Sequence, residues 1–176
     1  EISLAKAFRG VWPDAQVYFE VRWPRTLLGL LTGGGLAIAG VLFQAVLRDP
    51  LATPYTLGIS SGASLGAVVA IVTGLQELGG LPALWAAAFL GSAATLALVL
   101  GVAAEGRRVS SFTLLLAGIT INGIVMSLIM LLHNLASVRQ SFAIVHWLMG
   151  NLDAVSKPTL ATLAALVLPV SFWLCL

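Results

Sequence analysis

The sequence predicts an all-α fold, a polytopic transmembrane helical bundle of about five spans, and three observations carry that expectation. Of the 176 residues, 59% are hydrophobic and 9% charged, whereas a soluble domain clothes its surface with about 25% charged residues. The mean hydropathy is +1.02, so much of the chain must face lipid. The charges also fall between long charge-free stretches, and an ionised side chain at mid-bilayer costs on the order of 3 kcal/mol, so they punctuate the spans. Finally, runs such as Leu114, Leu115, Leu116 and Ala117 lack the every-second-residue alternation of a barrel strand.

Each charge-free stretch approaches or exceeds the ~20 residues a helix needs to cross ~30 Å. The first span is expected over residues 26–47, after Arg22 and Arg25 and before the Arg48-Asp49-Pro50 turn. A second follows over residues 55–76, closed by Glu77 with Gly79, Gly80 and Pro82, and a third over residues 82–104, closed by Glu105-Gly106-Arg107-Arg108. The fourth covers residues 111–134 and the fifth residues 158–176. Between these two, Val138, Phe142, Val145, Trp147 and Leu148 stand among polar residues, the pattern of a short helix lying along the membrane interface. Trp23, Trp85 and Trp147 fall beside span ends on one side and Trp173 near the other, while Trp12 does not follow this rule. The whole chain, residues 1–176, is read as one transmembrane domain. No cleavable signal is visible in its first 25 residues, and since it starts with Glu and not Met a piece of a longer chain is expected.

Within the spans, small residues cluster at Gly33, Gly34, Gly35, Ala37 and Gly40, and at Gly58, Gly62 and Gly66. Close packing is the simpler reading, since small faces let backbones approach where no hydrophobic effect drives helices together; a flexible or pathway-lining role is the other. The composition excludes further classes. Cys175 alone allows neither an internal disulfide nor a cysteine metal cluster. Basic residues never form a block longer than Arg107-Arg108, which excludes a nucleic-acid footprint. No paired carboxylates, His-Glu motif or Ser with Lys or His lies inside a span, so no intramembrane enzyme is expected. His133, Asn134 and His146 sit near span ends as interfacial polar anchors, and two histidines without Cys or carboxylate make no metal or haem site. No metal and no cofactor is therefore expected.

Three separated motifs carry a resemblance: V-R-W-P-R-T-L at residues 21–27, G-V-L-F-Q at residues 40–44, and R-D-P-L-A-T-P-Y-T-L-G-I-S-S-G-A at residues 48–63. With L-L-L-A-G at residues 114–118 and W-L-M-G at residues 147–150, they resemble the permease family of binding-protein-dependent ABC importers for iron chelates (iron-siderophore transport), haem and cobalamin. The resemblance implies helices two to six of a ten-helix permease in a bacterial or archaeal cytoplasmic (inner) membrane. Its implied partners are a second permease copy in a homodimer, a separate cytoplasmic ABC ATPase, an extracytoplasmic substrate-binding protein and membrane lipid. The permease itself hydrolyses no ATP.

The resemblance also implies an amino segment outside the cell. The charge rule implies the reverse, because Lys6, Arg9, Arg22, Arg25, Arg139 and Lys157 share one side against Arg48, Arg107 and Arg108. The family topology is preferred, since a missing first helix removes the element that sets orientation. By resemblance Arg22 and Arg25 dock the binding protein, the alternative being snorkelling side chains. By resemblance Asp49, Leu51, Ser110 and Ser111 narrow the cytoplasmic end of the pathway. Asp49, where the family usually has Asn, is also ordinary turn chemistry before a proline, and both serines are also ordinary helix caps. Asn122, deep in the fourth span, is expected to hydrogen-bond a neighbouring helix or to line the pathway. A non-transporting helical scaffold or assembly subunit is the alternative function.

Overall fold

The computed structural model describes residues 12, 14–50, 53–105, 108–150, 152 and 157–175, and these are almost wholly helical. Helix α1 (Trp23–Leu47) follows a short helical lead-in, Asp14–Gln16, and a π-helical stretch, Val17–Arg22. Pro24 explains the wider turn. Proline has no N–H for the carbonyl four residues back and its ring crowds that carbonyl, so the preceding turn opens. Thr26 Oγ1 donates to the Arg22 carbonyl at 2.9 Å, adding a bond where the ladder is disturbed. Trp12 Nε1 donates to Gln16 Oε1 at 2.9 Å and Gln16 Nε2 to Glu20 Oε2 at 3.1 Å, so Trp12 belongs to a polar chain along the lead-in.

Helix α2 (Ile59–Val72) has 14 residues, about 21 Å of rise. The stretch expected as the second span, residues 55–76, starts within turns over residues 53–58. Thr53 and Thr56 hold them reciprocally: each backbone N–H donates to the other's hydroxyl, at 3.0 and 3.1 Å. The break after α2 lies at residues 73 and 74, earlier than the Glu77 to Pro82 connection expected from charge and glycines. Gly74 has φ +76°, a left-handed conformation that a residue without Cβ adopts freely, and helix α3 (Leu75–Ala103) starts at the next residue. A two-residue antiparallel ladder, β1 (Ala104–Glu105) with β2 (Arg108–Val109), turns the chain into helix α4 (Ser111–Leu135). Helix α5 (Val138–Met149) occupies the expected short-helix position, and helix α6 (Lys157–Cys175) carries Pro169 in its interior.

The chain divides into two compact units, one of Gly40–Gly150 and one of Glu1–Ala39 with Asn151–Leu176. In the first, α2 is the centre. Ala67, Val68, Ala70 and Ile71 pack with Leu84 and Ala88 of α3, Val125 and Ile129 of α4 and Ile144 of α5. The close approach is made by glycine: a Cβ on Gly66 would overlap the Ala87 carbonyl oxygen, one on Gly62 would overlap Thr95 Oγ1, and one on Gly91 would overlap the Gly62 carbonyl oxygen. The packing expected of Gly62 and Gly66 is thus realised, whereas Gly33, Gly34 and Gly40 have nothing within 4 Å among the described residues. Gln140 ties α5 to α2. Its Oε1 accepts from the Ser137 N–H at 2.9 Å in a capping box, while its Nε2 donates to the Val72 carbonyl at 3.0 Å, satisfying a helix-end carbonyl.

Among the described residues three helices are long and apolar enough to cross a membrane: Val17–Leu47, Ala83–Ala103 and Ser111–Leu135, with mean hydropathies of 1.9, 2.0 and 2.3. Large apolar side chains point outward from them, among them Phe89, Phe112 and Met130. Such a surface suits lipid, not water.

Candidate functional site

The end of α1 and the start of α4 meet. Leu47 closes α1, and Arg48 then turns left-handed at φ 52°, the one non-glycine positive φ among the described residues. The Asp49 N–H donates to the Gln44 carbonyl at 3.3 Å, the six-to-one bond of a Schellman helix end, which favours glycine at the left-handed position. The Gln44 side chain reaches the same turn, its Nε2 donating to the Pro50 carbonyl at 3.3 Å. Asp49 between these anchors is half-buried.

Across the gap, the Ser111 hydroxyl donates to the Leu47 carbonyl at 2.8 Å, joining residues 64 apart in sequence. A terminal helix carbonyl thereby finds a partner in another helix. Ser110 has an extended backbone, φ −82° and ψ 134°, and stands at the N-cap of α4 without a side-chain cap bond. The capping reading therefore fails for both hydroxyls: that of Ser110 caps nothing and that of Ser111 bonds α1. Beneath them Leu57, Val99, Ala103, Leu114 and Ala117 form an apolar plug with Phe43 and Leu47 at its edge. Gly118 lets the residue 53–58 turns lie on α4, since a Cβ there would come within 2.6 Å of the Thr56 carbonyl oxygen.

Of the four residues expected at the narrowing, Ser111 bonds the Leu47 carbonyl two residues before Asp49, and Ser110 is next to it in sequence; Leu51 lies outside the described residues. Arg22 and Arg25 belong to the other unit. Arg22 ends the π-helical stretch, Arg25 lies in the first turn of α1, and both are exposed. Asn122, on α4, is half-buried, and its Oδ1 has no hydrogen-bond partner, nor does the buried His133 Nε2. The hydrogen bond expected of Asn122 is thus not made by its carbonyl oxygen among the described residues. No group of three or more His, Cys, Asp or Glu lies together there. An apolar groove of about 630 Å³ runs along α2, α3 and α4, and of its lining only Thr95 has a polar side chain. It offers shape and no directional bond.

Sequence reasoning missed Gln44 and Gln140 as structural ties. The first closes a quoted motif, G-V-L-F-Q, without a role assigned to it, and the second stands three residues after Ser137, the spacing of a capping box.

Comparison with known proteins gives these features a context. A model of the FecCD transport family matches residues 1–176. The uncharacterized ABC transporter permease protein YvrB of Bacillus subtilis is 41% identical over 141 residues, covering 78% of this chain and 39% of the relative. The vitamin B12 import system permease protein BtuC of Citrobacter koseri is 36% identical over 162 residues, covering 89% and 46%. The hemin transport system permease protein HmuU of Yersinia pestis is 32% identical over 175 residues, covering 95% and 52%. A solved inward-facing structure, assigned to a metal-chelate type of ABC transporter, superposes with a TM-score of 0.72 at 33% identity, covering 85% of this chain and 46% of that one. The chain spans about half the length of the relatives it matches. On the match along its whole length and on these identities, the chain belongs to the FecCD transport family.

Proposed function

We propose that the chain forms part of the permease of a binding-protein-dependent ABC importer that carries a metal chelate, haem or cobalamin across a bacterial or archaeal cytoplasmic membrane. The observation that carries this reading is the Ser111 to Leu47 hydrogen bond, because it joins two segments that the family resemblance assigns to one end of the pathway. Asp49, Leu51, Ser110 and Ser111 form the cytoplasmic gate. Arg22 and Arg25 are exposed at the opposite terminus of α1, free to meet acidic groups of a docking substrate-binding protein, where charge sets register and encounter rate more than affinity. Asn122 lines the pathway, its Oδ1 free to receive a hydrogen bond.

In this reading the chain crosses the membrane five times as one transmembrane domain of a longer permease, α5 lying along the interface. The permease works as a homodimer on two copies of a separate ATPase and catalyses no reaction itself. The name of one relative carries vitamin B12 and that of another hemin, which supports a bulky chelate as cargo.

The test uses the full-length permease with its ATPase in lipid nanodiscs and the purified binding protein. Reversing both charges, Arg22→Glu with Arg25→Glu, is expected to slow association at least tenfold at low salt and to lower ATPase stimulation accordingly. Unchanged association with the double variant would falsify the docking role.

A further inference from the structure

Gln44 and Arg48 have no role in the function proposed so far, and with the gate residue Ser111 they surround the Asp49 turn. Gln44 holds the turn on both flanks, its backbone carbonyl accepting from the Asp49 N–H and its side-chain Nε2 donating to the Pro50 carbonyl, each at 3.3 Å. Arg48 adopts φ 52°, a left-handed conformation that disfavours any residue with a Cβ, and such outliers persist only where neighbouring bonds over-determine them. Ser111 fixes the preceding residue by its 2.8 Å bond to the Leu47 carbonyl. Three hydrogen bonds, two from Gln44 and one from Ser111, therefore converge on four consecutive residues, 47–50. Glycine is the usual residue at the left-handed position of such a helix end, whereas here Arg48 holds it and a second helix adds a bond.

We propose that Gln44, Arg48 and Ser111 are positioning residues for the gate, which set the place of the Asp49 carboxylate relative to the start of α4. This rests on the gate reading given above. Gln44 is the clamp, since one side chain at the last helical turn orders the turn beyond it. Arg48 is the weak point, because its unfavourable φ lets the turn spring out of place once the Gln44 or Ser111 tie is lost. Gate position thus follows any movement of α1 against α4.

The test again uses the full-length permease with its ATPase and binding protein in nanodiscs. Amide hydrogen exchange at Asp49 is measured in the wild type and in Gln44→Met, Ser111→Ala, Arg48→Gly and the double variant Gln44→Met/Arg48→Gly. Losing one tie is expected to speed Asp49 exchange about fivefold, the net worth of a hydrogen bond. Glycine at position 48 removes the conformational cost, so the double variant is expected to return to within about twofold of the wild type. ATP hydrolysis without binding protein is expected to rise in Gln44→Met and to fall back in the double variant, which a mere packing role for Gln44 would not produce. Unchanged exchange in both single-tie variants, or no rescue by glycine, overturns the positioning role while the permease reading stands. A wild-type complex whose ATPase does not respond to the binding protein overturns the permease reading, and the gate role with it.

Discussion

Adding one methyl group at Gly66 tests the packing most sharply. The new Cβ would overlap the Ala87 carbonyl oxygen and lie 2.9 Å from its carbonyl carbon, and it would sit 3.2 Å from the Gly91 Cα. All three atoms are backbone, so no side chain can swing away and α2 must part from α3. Overpacking of a well-filled contact costs about 1–3 kcal/mol, a factor of roughly 5 to 150 in the folding equilibrium. In lipid this is not offset by hydrophobic association, because parted helices simply admit acyl chains. For a chain of this size each kcal/mol lowers the midpoint by about 2–4 °C, so Gly66→Ala is expected to lower it by roughly 2–12 °C. The control is Gly101→Ala, also on a described helix, whose Cβ would meet nothing within 4 Å; helix propensity there favours alanine by about 1 kcal/mol. Thermal unfolding of the 176-residue chain in mild detergent, followed by tryptophan fluorescence, reads both. Equal midpoints for the two variants would refute glycine-mediated contact between α2 and α3.

Further outcomes follow from single side chains, all read in the same unfolding assay. Arg48→Gly relieves the left-handed φ of 52° and is expected to stabilise by about 0.5–1 kcal/mol; a loss of stability would contradict the backbone geometry. Ser111→Ala leaves the Leu47 carbonyl without its 2.8 Å donor and is expected to cost about 1 kcal/mol, with no change counting against the bond. Gln140→Leu removes the α5 capping box and the bond to the Val72 carbonyl together and is expected to cost about 1–2 kcal/mol. Asn122→Leu replaces an unpartnered buried oxygen by an apolar group and is expected to leave stability unchanged or raise it by up to about 2 kcal/mol; marked destabilisation would reveal a bond to that oxygen.

Much of this fold was legible because charge and hydropathy alone separate lipid-facing helix from connection. Arg48 and Asp49 mark the end of α1, Glu105 the end of α3, and Ser110 the entry to α4. What composition does not encode is backbone conformation. The α2 bounds differ from the expected span because Gly79, Gly80 and Pro82 are stronger local punctuation than Gly74, and because residues 53–58 carry no charge although Thr53 and Thr56 hold them in turns. For the site, the family motifs pointed to Asp49, Ser110 and Ser111, yet the serines looked like caps. Only tertiary geometry shows the Ser111 hydroxyl on a carbonyl 64 residues away. Gln44 stayed without a role for the same reason, since an exposed glutamine at a span end reads as an interfacial polar residue until its partner, the Pro50 carbonyl, is in view.

Sidedness tests the central claim most directly. In the full-length permease with Cys175→Ser, a cysteine is placed at Gln16 or at Ser110, both exposed, and intact spheroplasts are treated with a membrane-impermeant thiol reagent. Labelling at position 16 and none at position 110 is the expected result, putting Arg22 and Arg25 outside and the Asp49–Ser111 end inside. Labelling at 110 and none at 16 would contradict the importer topology, and the docking and gate roles would fall together.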